Sequence, residues 1–157
     1  MQIKLIAIGK TDNKQLQSLI EDYQKRLGFY IKFQLEIIPD IKKAKHLSET
    51  QQKEKEGELI LAKAQKSDII ILLDENGKQM DSMAFSNYIQ KHLNSGVKQI
   101  IFVIGGPYGF SDTVYKRANG KLGLSQMTFS HQMVRLFFIE QLYRGFTILR
   151  NEPYHHR

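Results

Sequence analysis

The 157-residue chain contains no cysteine. Disulfides, thiolate metal sites and a cysteine nucleophile are therefore excluded, and the absence fits a reducing cytosol. No apolar run approaches the ~20 residues that span a bilayer. The opening MQIKLIAIGK reads as a strand rather than a signal peptide, so a cytoplasmic protein is expected. Five histidines are present, yet His46, His92 and His131 are scattered and His155 and His156 are adjacent. None has the spacing of H-E-x-x-H or a similar ligand set, so no metal is expected. Repeats, low-complexity segments and linkers are missing too. One domain over residues 1–157 suits this length.

Both common phosphate loops are also missing. A dinucleotide fingerprint needs G-x-G-x-x-G after the first strand, but that strand ends in IGKTDN, with Gly9 alone. A P-loop needs a lysine after its last glycine. In GGPYGFS, Gly105, Gly106 and Gly109 are followed by Phe110 and Ser111, and Pro107 removes a backbone donor. Paired glycines after a buried strand instead allow a ligand to approach the main chain closely. A flat, largely neutral group such as adenine would suit this loop, and so would a plain turn with positive φ angles.

Five apolar runs alternate with helical patterns. Ile3–Gly9, Phe33–Pro39, Asp68–Asp74 and Gln99–Gly105 read as strands. Leu122–Phe129 reads as a short strand or an ordered loop. Helices are expected from Asn13 to Gly28, from Ser48 to Lys66, from Asp81 to Gly96, across Ser111–Gly120 and along the segment that follows Ser130. This alternation predicts an α/β fold with a mostly parallel sheet and helices on both faces. In such sheets ligands bind beyond the carboxyl ends of the strands. Leu73–Lys78, Gly105–Ser111 and Leu124–Phe129 should therefore meet. In the first, Asp74 and Glu75 could bind ribose hydroxyls, or Asn76–Gly77 could be an ordinary turn.

The net charge is +7, and its distribution is uneven. Residues 116–157 hold seven Lys and Arg against Glu140 and Glu152. The last four cations are arginines, whose planar fork suits phosphate. A polyanionic partner such as RNA accounts for this, as does an ordinary basic protein. The last helix is apolar at nearly every position from Met133 to Tyr143. A helix of that kind must be buried on more than one side, and in a small chain a second copy is the natural cover. The tail YHHR combines a ring, two histidines and an arginine, which suits RNA bases and backbone.

FVIGGPYGFS, LSQMTFSHQMVRLFFIEQLYR and the ending NEPYHH resemble the RlmH family, SPOUT-class methyltransferases of bacterial ribosomal RNA. The resemblance covers essentially the whole chain. It implies a single-domain SPOUT fold, a parallel sheet flanked by helices with a C-terminal deep trefoil knot. It also implies a homodimer that binds S-adenosylmethionine in the knotted loops. Leu73, Gly105, Leu124, Ser125, Gln126, Met127, Thr128 and Phe129 match the cofactor-contacting positions. The implied reaction is methylation of N3 of a pseudouridine in helix 69 of 23S rRNA, within the assembled 70S ribosome. N3 carries a weakly acidic proton, so a base, or cations that stabilise the imide anion, would help. His131 or His155 is the candidate base, and Arg135 or Arg157 the candidate stabiliser. A SPOUT enzyme acting on tRNA or a ribose 2′-hydroxyl, or a ribosome-binding module without activity, is the competing expectation.

Overall fold

Asn13, Ser48, Asp81, Ser111 and Ser130 each accept a hydrogen bond from the backbone N–H three residues on, and each opens an α-helix. These short polar side chains satisfy donors that a helix start leaves free. At Ser48 the bond is reciprocated by Gln51, completing a capping box. The structure, a computed structural model, describes residues 1–156.

The elements alternate as expected. They run β1 (Gln2–Ile8), α1 (Lys14–Leu27), β2 (Lys32–Ile38), α2 (Glu49–Leu61), β3 (Ile69–Gln79), α3 (Ser82–Asn94), β4 (Gln99–Ile104), α4 (Asp112–Arg117), β5 (Gly120–Gly123) and α5 (His131–Leu149). A short 3₁₀ turn, Ala44–His46, precedes α2. The five strands form one parallel sheet in the order β2-β1-β4-β3-β5.

Both faces of the sheet are covered, which is why its strands are continuous apolar runs. On one face Leu5, Ile71, Ile100 and Phe102 pack with Leu16 and Ile20 of α1, Ile89 of α3 and Phe138 and Leu142 of α5. On the other, Ile6, Ile70, Leu72, Ile101 and Val103 meet Ile60 of α2 and Val114 of α4. The alternation along each strand divides its side chains between the two cores.

Several elements depart from the sequence reading. The fifth strand lies at Gly120–Gly123, ahead of the expected Leu122–Phe129, and α4 ends at Arg117 rather than near Gly120. α2 stops at Leu61 rather than near Lys66, and the backbone N–H of Gln65 turns back onto the carboxylate of Asp68 at 2.8 Å. The larger departure is β3, which continues through the segment read as a loop. Leu73 and Lys78 both pair with Leu122 of β5, so Asp74–Gly77 leave the ladder and return to it. The N–H of Asn76 donates to Asp74 Oδ1 at 2.8 Å and closes this excursion. The excursion hugs its neighbour. A Cβ on Gly77 would lie 2.5 Å from the backbone of both Leu122 and Gly123. Glycine is the residue that permits such an approach.

Candidate functional site

At the carboxyl ends of β3 and β4 three segments enclose a cavity of about 380 Å³. That volume lies within the range of small-molecule sites. The first wall is Leu73–Asn76, the second runs from Ile104 through Gly105, Gly106 and Pro107 to Phe110, and the third is Leu122–Phe129 with His131 and Val134. Ile104, Phe110, Leu122 and Val134 give the lining an apolar part. The turn Gly106–Gly109 is closed by the Gly109 N–H on the Gly106 carbonyl (3.1 Å), with Gly109 at φ +80°.

Polar groups come from the first and third walls. Asp74 and Glu75 line the cavity. Tyr115 donates its hydroxyl to Asp74 Oδ2. Burial and that carboxylate push the Tyr115 phenol up to about 12, so it stays a donor at neutral pH. Across the mouth, Thr128 Oγ1 donates to Glu75 Oε1 at 3.3 Å. Among the described residues that line the cavity there is no lysine and no arginine, against two carboxylates. A phosphate would meet repulsion here, whereas a neutral or positively charged ligand would not.

The residues singled out from the sequence divide clearly. Leu73, Gly105, Leu124, Ser125, Met127, Thr128 and Phe129 all line the cavity, and Gln126 does not. His131, the first residue of α5, lies at its edge. Arg135 is elsewhere. It is 1% exposed, donating from Nη1 to Thr11 Oγ1 (2.9 Å) and from Nη2 to the Ile8 carbonyl (2.8 Å). One turn earlier, Gln132 accepts from the Asp12 N–H (3.0 Å) and donates to the Lys10 carbonyl (3.2 Å). The start of α5 is thus clamped to the loop that follows β1.

His155 lies at the other end of α5. Arg144 Nη1 donates to its Nδ1 at 3.2 Å, and Arg144 also pairs with Glu140 at 2.6 Å. Tyr154 donates to the same Glu140 oxygen at 2.9 Å, and the Arg144 guanidinium lies 4.7 Å from the centre of its ring. At 1.5 Å of rise per residue, the thirteen residues from His131 to Arg144 span about 20 Å. One chain therefore does not bring His131 and His155 together. Arg157 lies outside the described residues.

Similarity to known proteins agrees with this geometry. The family model described as "Predicted SPOUT methyltransferase" matches residues 1–155. The chain belongs to the SPOUT methyltransferase family. Proteins named Ribosomal RNA large subunit methyltransferase H are similar throughout. That of Flavobacterium johnsoniae is 75% identical over 100% of both chains. That of Christiangramia forsetii is 69% identical over 100% of both. That of Bacteroides thetaiotaomicron is 51% identical over 99% of each. Membership bears out the resemblance carried by the last forty residues, and the parallel sheet flanked by helices is the SPOUT methyltransferase architecture it implied.

Two features of this SPOUT methyltransferase escape sequence reading. Val134 lines the cavity from the first turn of α5, outside the three segments expected to meet there. Tyr115, which orients Asp74, comes from α4, and only its place one turn after a capped helix start brings it to β3. Among the described residues no group of three or more His, Cys, Asp or Glu could hold a metal ion. No described helix is long and apolar enough to cross a membrane.

Proposed function

We propose that the chain methylates large-subunit ribosomal RNA, transferring a methyl group from S-adenosylmethionine to N3 of a pseudouridine in helix 69 of 23S rRNA. The observation that carries the cofactor assignment is the charge of the cavity. Two carboxylates and no cationic lysine or arginine face a space bounded by close-approach glycines and apolar side chains. A sulfonium with a ribose and an adenine fits that donor set, and a phosphate does not. Asp74 and Glu75 would accept the ribose hydroxyls. The backbone at Gly105 and along Leu124–Phe129 would read the adenine edge, with Leu73 and Leu122 against its faces. We place the deep trefoil knot of the family in the same segments, around the Asp74–Gly77 excursion.

S-adenosylmethionine, when bound, supplies an electrophilic methyl group to an in-line displacement. The residues of the chain then have positioning and a proton to manage. His131, which lines the cavity, would accept the N3 proton. The tail, with His155 as a second candidate base and Arg157 as the anion stabiliser, needs another route to the cavity, and a homodimer supplies one. A two-fold pairing of antiparallel α5 helices would set the tail end of one copy beside the His131 end of the other. Met133 and Phe137 favour that arrangement. They are 39% and 37% exposed on α5, and Phe137 lies 5.0 Å, ring to ring, from Phe129 of the cavity wall. Phe137→Glu should therefore yield a monomer by light scattering and lower the methylation rate about a hundredfold or more, since losing an organised proton acceptor costs 10²–10⁴.

The exposed cations from residue 116 onward, Lys116, Lys121 and Arg150 among them, would dock the 70S ribosome through phosphate contacts, without the buried Arg135, and the enzyme would work in the cytoplasm. Purified ribosomes lacking the modification, incubated with the protein and S-adenosylmethionine, should gain one methyl group at that pseudouridine by nucleoside mass spectrometry. Free rRNA and tRNA should gain little. Methyl transfer to tRNA or to a ribose would replace this reading with another SPOUT activity. Calorimetry without S-adenosylmethionine binding would leave a ribosome-binding module.

A further inference from the structure

Glu56 is a buried acid in an apolar part of the molecule. It lies on α2, is 3% exposed, and its Oε1 has no hydrogen-bond partner. Its other oxygen accepts a long bond of 3.3 Å from Gln52 Nε2, one turn earlier. The carboxyl lies directly behind the cavity wall. A Cβ built on Gly106 would fall 2.5 Å from each carboxyl oxygen. The next residue repeats the contact, since a Cβ on Gly57 would fall 2.6 Å from Ser111 Oγ and 2.9 Å from Val114 Cγ2. Helix α2 is thus wedged against both ends of the segment Gly106–Ser111. A buried carboxyl with a free oxygen costs stability.

The geometry points to Glu56 as the positioning residue of the Gly105–Gly109 loop: its carboxyl, pressed against Gly106, fixes how deep the loop sits beneath the bound cofactor. This inference rests on the reading of the cavity as the cofactor site. Glu56 faces Gln52 from its own helix, Asp40 from the loop after β2 and the backbone of Gly106. Of these three only Asp40 is charged, and its charge is negative. Burial first, and then Asp40, raise the Glu56 carboxyl above its ordinary value, while Gln52 opposes this. Burial here favours the neutral acid over the ionised one. Its contribution is complete below the ordinary carboxylate range and is lost as pH rises through the raised value. Ionised, the group would draw water in behind Gly106 and loosen the loop.

Glu56→Gln keeps the shape and cannot ionise, and Glu56→Ala removes the wedge. Two readouts separate the consequences. Hydrogen exchange of residues 105–111 in the free protein, corrected for intrinsic rates, needs no ligand. E56A should lose about tenfold of its protection there, the scale set by one lost buried polar contact. Wild-type protection should fall as pH rises, whereas E56Q protection should stay flat. Calorimetry with S-adenosylmethionine should follow the same order, with E56A weaker by about tenfold and E56Q within twofold of wild type at low pH. Equal loop exchange in wild type and E56A, or identical pH profiles for wild type and E56Q, overturns the inference. Changed loop exchange in a protein that never binds S-adenosylmethionine keeps the role of Glu56 and removes the cofactor reading.

Discussion

Gly77→Ala is expected to abolish S-adenosylmethionine binding in calorimetry and to lower the melting temperature by about 10 °C. The added methyl group would lie 2.5 Å from the nitrogen of Gly123 and from the carbonyl carbon of Leu122. These are backbone atoms of a paired strand and cannot rotate away. Overpacking of this kind costs roughly 3 kcal/mol, and in a chain of this size each kcal/mol shifts melting by about 2–4 °C. The functional loss should exceed the thermal one. Asp74–Gly77 carry the cavity's two carboxylates, and Asp74 is held by Asn76 and Tyr115 in one arrangement. Moving the excursion off β5 displaces that whole wall. Gly109→Ala is the useful contrast. Its φ of +80° is strained for alanine, but its Cβ would meet nothing within 4 Å. A cost of about 1 kcal/mol is expected there.

Arg135→Ala is expected to lower melting by about 10–15 °C and to weaken cofactor binding. Its two guanidinium bonds run to the last residue of β1 and to Thr11 just beyond it, and the side chain is one of the largest fully buried groups among the described residues. Removing it leaves the Ile8 carbonyl and Thr11 hydroxyl unpaired beside a void, which costs roughly 3–5 kcal/mol. The kinetic signature distinguishes this from a catalytic role. A side chain that stabilised the reacting anion would lower kcat and leave cofactor affinity alone. A clamp on the first turn of α5 moves Val134 and His131, so cofactor affinity should fall with it. Single-turnover rates measured at saturating S-adenosylmethionine, below the melting range, separate the two.

Much of the fold was legible because each level of the sequence agrees with the next. Strand runs sit where the sheet is buried on both faces, and helices begin at Asn13, Ser48, Asp81, Ser111 and Ser130, whose side chains cap them. The three cavity segments were legible from topology alone, because parallel strands end together. The rest depended on contacts that local pattern does not encode. Asn76–Gly77 has the composition of a turn, and only its pairing with β5 makes it an excursion within a strand. Arg135 looks like one more cation in a basic segment, yet the segment after β1 captures it 124 residues away in sequence. Glu56 stands in a lysine- and glutamate-rich run that reads as a solvated helix. Gly57 beside it was the available sign of a close approach.

The strand order has a consequence for synthesis. β1 and β3 do not touch each other, and each is completed by β4, which lies between them. On the ribosome, β1 can pair with β2 early. β3, with its run Ile69–Leu73, has neither neighbour until residues beyond Gln99 have emerged. For that interval this apolar run has two open edges, the state in which nascent chains aggregate or recruit chaperones. The β4 strand closes one edge, the brief β5 closes the other, and only then can α5 lie down across the face. The chain from Gln99 onward therefore governs whether the strands made before it escape misassembly.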